Sequence, residues 1–173
     1  MKWIVLFIAF WTTQAGNAQI PASWEGRYQG VLVSTNFQGK EMRYAMSLIV
    51  SKIADSSWTW TIIYGEDSLK QEREYLLILN EKGQFAIDEQ NSIRLSSHLI
   101  DNRFVCVFEV QGNLIHTVYR FEQDTVKFEL TSSSGAYETG NTVQENNDTI
   151  PLVVSYRTVA FQQAELTKVK QIK

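Results

Sequence analysis

From Trp24 onward, apolar and polar residues alternate with a period of two, almost without interruption. In "DTVKFEL" Val126, Phe128 and Leu130 fall on one side and Lys127 and Glu129 on the other. In "RFVCVFEV" Phe104, Cys106, Phe108 and Val110 fall together. That period belongs to a β-strand, whose successive side chains leave the pleat on opposite faces. It predicts ten strands, at about residues 25–35, 42–53, 57–64, 71–80, 84–89, 92–99, 102–111, 113–122, 125–132 and 151–166. No long stretch places apolar residues at i, i+3, i+4 and i+7, so little helix is expected. The most aromatic strand is "SSWTWTIIYG" (56–65), with Trp58, Trp60, Ile62 and Tyr64 on one face and Thr59, Thr61 and Ile63 on the other.

The links between strands are short and carry turn chemistry. Gln38-Gly39, Lys82-Gly83, Asp101-Asn102 and Gly112-Asn113 supply residues that tolerate positive φ, as tight hairpins require. Ten strands joined by hairpins form an antiparallel meander, and an open sheet of that width leaves two long edges unpaired. Closing the sheet removes both. The expected fold is therefore all-β, an antiparallel up-and-down β-barrel of about ten strands, with a β-sandwich as the alternative. Such a barrel has room for packed side chains or one small ligand. One link departs from the pattern: residues 132–149, "SSSGAYETGNTVQENNDT", form a polar stretch too long for a hairpin and are expected as a loop, either a lid or an insertion.

The N-terminus changes the picture of where the chain works. Lys2, the apolar run Trp3 to Trp11, and small residues at Gly16 and Ala18 have the layout of a secretory signal peptide cut before Gln19. The run is half the length of a membrane span. Residues 1–18 are thus read as a leader and 19–173 as one barrel domain, periplasmic or secreted. With no cysteine at the cut, it is not expected to be a lipoprotein. Loss of Lys2 makes the formal charge of −3 one unit more negative. With a pI near 5.4 and bases interspersed with acids, no nucleic-acid partner is expected. Cys106 is the single cysteine, so no internal disulfide forms, and its apolar neighbours predict an inert buried thiol.

"SWEGRYQG" (23–30) resembles the opening of calycins, the superfamily of lipocalins, fatty-acid-binding proteins and nitrobindins, which begin their barrels with a Trp. Trp24-Glu25-Gly26 is similar to the W-x-G of nitrobindin-like barrels; the lipocalin G-x-W has Ala22 in place of its Gly. The leader's "NAQ" end also resembles those of secreted Bacteroidetes proteins. The resemblance implies a lipocalin-like barrel for a small hydrophobic or amphipathic molecule. Nitrobindins hold haem through a His near the C-terminus; no His follows His116, so no haem or other cofactor is expected. The R-x-Y pair with which fatty-acid-binding proteins grip a carboxylate occurs as Arg73-Glu74-Tyr75, on a middle strand rather than near the end. By analogy with lipocalins, Arg157 of the last strand is expected over Trp24.

Among the residues themselves, His98, His116 and Cys106 sit at unrelated spacings, so no metal site is expected. There is no phosphate-cradling glycine loop and no G-x-S-x-G. Asp88 and Glu89 are adjacent and would point to opposite faces of a strand, or belong to the turn "EQNS". The candidate binding set is Trp58, Trp60 and Tyr64 with Arg73 and Tyr75 of the next strand, joined by His116 and Arg120 from "NLIHTVYRF". Apolar walls with a few polar groups are what small-ligand sites look like, and an Arg beside aromatic rings suits a carboxylate. Packing alone explains the stripe equally well, since each buried aromatic contributes roughly 2–3 kcal/mol. Three functions follow: a barrel binding a small hydrophobic or amphipathic molecule; a filled barrel acting through its surface or the 132–149 segment; and an enzyme using Asp88, Glu89 or His116. Catalysis is the least supported of the three, and oligomeric state is left open.

Overall fold

The structure is a computed structural model that describes residues 19–140 and 151–170. The proposed leader and part of the 132–149 segment lie outside the described residues. A one-turn 3-10 helix, Ala22–Trp24, leads into ten strands: β1 (Gly26–Asn36), β2 (Glu41–Ala54), β3 (Ser57–Tyr64), β4 (Gln71–Leu79) and β5 (Phe85–Asp88), then β6 (Arg94–Ile100), β7 (Arg103–Val110), β8 (Asn113–Glu122), β9 (Thr125–Thr139) and β10 (Val153–Lys168). Each strand pairs antiparallel with the next, and β1 pairs with β10 to close the barrel. The turns adopt the positive φ that their residues allow, at Gly39, Gly83, Asp101 and Gly112.

The main departure from the pattern is β9. Residues 132–139, expected as loop, continue as strand because β10 runs alongside them, with Tyr137 opposite Ser155 and Thr139 opposite Val153. Register shifts between Tyr156 and Arg157 and between Thr158 and Ala160 mark β-bulges in this ribbon.

Registers and burial together fix which face looks inward. Tyr28, Leu48, Trp58, Trp60, Leu77, Phe104, Tyr119, Phe121, Val126, Phe128 and Leu166 form one buried cluster. The outer face carries charge instead, including Arg94, Arg103, Lys127 and Glu129. Polar-out alternation is the reverse of a membrane-spanning barrel. Among the described residues no helix is long and apolar enough to cross a membrane.

The two ends of the barrel differ. At one end the 3-10 turn folds beneath the strands: Ile20 and Trp24 are buried, and Trp24 stacks on Phe121 at 4.0 Å with the rings 4° from parallel. The Tyr28 hydroxyl donates to the Trp24 carbonyl at 3.0 Å. Lys168 donates from Nζ to the Ser23 carbonyl at 2.8 Å and lies over the Tyr28 ring, 5.6 Å from its centroid. Its stem crosses the position a Cβ on Gly26 would occupy, and Gly26 has a φ of 148°, so the backbone requires glycine in the W-x-G and any side chain there would also displace the Lys168 stem. This is the closed end. The basic residue at this end, beside the Trp24 turn, is thus Lys168, not Arg157. Arg157 lies near the start of β10, at the opposite end, with its guanidinium 5.2 Å from the Phe37 centroid.

Candidate functional site

The aromatic stripe of β3 runs from the closed half into the open one, and its members have different fates. Trp60 lies 5.2 Å from Phe104, 5.1 Å from Tyr119 and 6.2 Å from Phe121, ring centre to ring centre. Trp58 packs on Phe85 at 6.3 Å, and Phe85 meets Phe104 at 5.6 Å. Both indoles are almost wholly buried, so Trp58 and Trp60 form the floor of the lumen. Four residues past Trp60, Tyr64 is only half-buried.

Above that floor the inward-facing residues are incompletely covered, several apolar ones standing among polar Thr117, Ser132 and Ser134. Tyr75 on β4, Leu95 on β6, Phe108 on β7, Ile115 on β8 and Leu130 on β9 are all of intermediate exposure. They face the end of the barrel bounded by the connections following β1, β3, β5, β7 and β9, an incompletely covered region, the cup. Ser97 and Cys106 face each other across β6 and β7 in its wall, and burial pushes the Cys106 thiol up despite its hydrogen bond with Ser97. The inert-thiol reading agrees with that setting.

Arg73 stands at the lip of the cup. It alternates in phase with Tyr75 and Leu77, opposite Ile62, so it belongs to the lumen face, and it is exposed. Its Nη1 donates to the Tyr75 hydroxyl at 3.3 Å, and its guanidinium carbon lies 5.7 Å from the Tyr64 centroid. Partial burial works against its charge. The hydrogen bond to Tyr75, helped by the Glu89 carboxylate, outweighs that, so the guanidinium stays protonated. Burial raises the Tyr64 phenol, with Arg73 opposing the rise, so the phenol stays neutral at physiological pH. The lip thus offers one fixed cation and two phenols, donors for an anionic or strongly polar group.

The other expected members lie apart from this group. His116 is exposed on the outer face of β8, between Val107 and Thr131. Arg120, on the same face, holds Glu122 at 2.9 Å, and Glu122 also holds Lys127 at 2.9 Å. Inward on β8 are Ile115, Thr117, Tyr119 and Phe121, the phase opposite to His116. Asp88 accepts the Gln90 amide at 2.8 Å and pairs with Arg94 at 2.9 Å, as a turn residue does. Glu89 is on the Arg73 side. Asp88, Glu89 and His116 therefore do not converge. No group of three metal-binding side chains occurs among the described residues.

Sequence reasoning missed the upper wall, Leu95, Phe108, Ile115 and Leu130. Their signal was the alternation itself, once the phase of each strand was known. Two hollows lie outside the lumen. One of about 420 Å³ at the closed end sets Glu25 and Asp124 among Arg27 and Lys168, and one of about 310 Å³ lies on the outer face between β1, β9 and β10. Neither is near the Arg73 group.

No protein-family profile matches the sequence, and no curated protein matches it. Solved structures do match in shape. A protein of unknown function from the DUF3598 family of Nostoc punctiforme superposes with a TM-score of 0.58 at 11% identity, over 90% of this chain and 53% of the other. The present chain thus spans about half the length of that protein. The S-type phycobiliprotein lyase of Guillardia theta superposes with a TM-score of 0.60 at 9% identity, over 87% of this chain and 90% of the other. A point mutant of the fluorescent protein UnaG gives 0.44 at 12% identity. With its closed ten-strand meander and these matches of shape, the chain folds as a calycin-like barrel.

Proposed function

We propose that the open half of the barrel binds a small amphipathic molecule, its apolar part against Phe108, Ile115 and Leu130 and its anionic group at Arg73. The observation that carries this reading is a charged guanidinium on the lumen face at the lip of a partly uncovered cup whose wall includes apolar side chains. Burying apolar ligand surface there contributes roughly 25 cal/mol per Å² before the costs of association. The Arg73 fork adds charge-assisted hydrogen bonds to the headgroup. That one protein of this shape is named a phycobiliprotein lyase accords with a lumen that is used rather than filled. The leader-like residues 1–18 support a periplasmic or secreted protein; N-terminal sequencing of the exported chain is expected to begin at Gln19.

The test is titration with 1-anilinonaphthalene-8-sulfonate, an apolar anion, following energy transfer from the buried tryptophans, with tetradecanoate as competitor. Saturable binding, competition by tetradecanoate and a roughly tenfold weakening in Arg73→Ala are expected, the weakening being that of a lost charge-assisted bond. No saturable binding overturns the reading. The dense packing of Trp24, Trp58, Trp60, Phe104 and Phe121 favours a second reading, a filled barrel acting through its surface or the 132–149 segment. Dye binding that ignores both tetradecanoate and Arg73→Ala would support that one.

A further inference from the structure

The connections at the two ends of the barrel differ in kind. At the closed end, residues 55–56, 80–84, 101–102 and 123–124 read DS, NEKGQ, DN and QD, without one apolar side chain. Counted with the strand ends that flank them, the open-end hairpins present Phe37 after β1, Leu69 after β3, Ile93 after β5, Val110 at the end of β7, and Tyr137 and Val154 on the β9–β10 ribbon, whereas the closed end counted the same way presents fewer, Ile53, Ile100 and Val169. Leu69 is 80% exposed, Tyr137 68% and Phe37 63%. Single exposed apolar residues need no explanation, but a ring of them concentrated around one end of a barrel does.

We propose that this rim docks the open end onto a lipid surface, from which an amphiphile passes into the cup. The proposal rests on the reading of the open half as a binding site and adds where its occupant comes from. Three observations favour a lipid surface over a protein partner. The apolar residues are spread around the whole circumference, one or two per hairpin, and form no contiguous central patch of the sort protein interfaces bury. They surround the mouth of a lumen whose wall includes Phe108, Ile115 and Leu130, so rim and wall offer successive apolar contacts to a hydrocarbon chain. The charges between them are of both signs, with Glu66, Asp67 and Glu89 alongside Lys40, Lys70 and Arg94, which suits zwitterionic headgroups and gives no preference for an anionic membrane. Apolar side chains entering the boundary between headgroup and acyl chain, with charged neighbours at headgroup level, is the geometry of interfacial binding.

The experiment is flotation of the purified protein with phosphatidylcholine vesicles, at low salt and in 0.5 M sodium chloride (about a 4 Å screening length). The protein is expected to float in both. The double variant Leu69→Glu/Val154→Glu is expected to lose about tenfold or more of its vesicle partitioning. The closed-end variant Ile100→Glu, at an equally exposed apolar site, is expected to float as the parent does. Circular dichroism and dye titration of the rim variant, both expected unchanged, separate loss of docking from loss of fold or of the cup. Absence of flotation, equal loss in Ile100→Glu, or a mouth-to-mouth dimer dissociated by the rim substitutions overturns the proposal. Flotation without dye binding would overturn the amphiphile reading of the cup and leave the rim's docking in place.

Discussion

Trp60 touches three other aromatic rings and has almost no access to water, so its removal costs both transfer energy and a cavity. Trp60→Ala is expected to lower stability by about 3–5 kcal/mol in urea unfolding. Arg73→Ala, at the exposed lip, is expected to leave the urea midpoint nearly unchanged while weakening dye binding, and that contrast separates floor from lip at single positions. Asp88 shows how local geometry sets a charge. The backbone amide of Gln90, and then Arg94, hold its carboxyl below the ordinary value of 3.8. A carboxyl lowered by folding stabilises the fold above its unfolded value and gives that up as pH falls through the folded one. Asp88→Asn is therefore expected to reduce the loss of stability seen on acidification below about pH 4, read by thermal melts across pH. The solvated-turn reading of Asp88 was legible in the sequence because Asx chemistry acts within two residues. The positions of His116 and Arg120 were not. In "NLIHTVYRF" both alternating sets contain apolar residues, so the period of two revealed a strand without telling which set the barrel would enclose. That choice is made by the aromatic partners of Tyr119 and Phe121, which come from β1, β3 and β9 and the initial turn.

Among the elements, closure depends on how closely β1 and β10 approach. They pair from Tyr28 with Lys168 to Asn36 with Ala160, and a Cβ on Gly30 would land on the Glu165 backbone oxygen and against Leu166. Gly30→Ala is expected to destabilise by about 1–3 kcal/mol through this overpacking, measured by chemical unfolding. The effect should concentrate in hydrogen exchange of the β1–β10 ladder. Ten strands were legible, most to within two residues, because each has its own alternation and its own turn residues. The seven extra residues of β9 were not, because Ser133–Thr139 has no apolar alternation. It becomes strand through the backbone of β10, a partner whose presence no local pattern announces. The expectation of Arg157 over Trp24 was overturned for a related reason. β10 is sixteen residues long, and the basic residue that reaches the closed end is the one at its far terminus, Lys168.

At the scale of the molecule, the barrel has one half whose inward side chains are fully buried and one whose inward side chains are only partly covered. The division is what the sequence left undecided, since an aromatic stripe looks the same whether it fills or lines. The 3-10 turn distinguishes the two ends: Ile20 and Trp24 fold under one of them and are buried there, while nothing of the kind covers the other among the described residues. Cys106 offers a global readout. Because burial raises its thiol, reaction with a disulfide reagent is expected to be slow in the native barrel and rapid once urea unfolds it, tracking the unfolding curve. The sealed end also carries a kinetic corollary. A vessel with one doorway has no through-traffic, so an incoming molecule cannot push out a resident one from behind. The resident must leave before the newcomer enters. In stopped-flow displacement of the dye, the exchange rate is therefore expected to level off at the dye's own departure rate however much tetradecanoate is supplied. A rate that climbs in proportion to competitor would mean a back door beside Trp24.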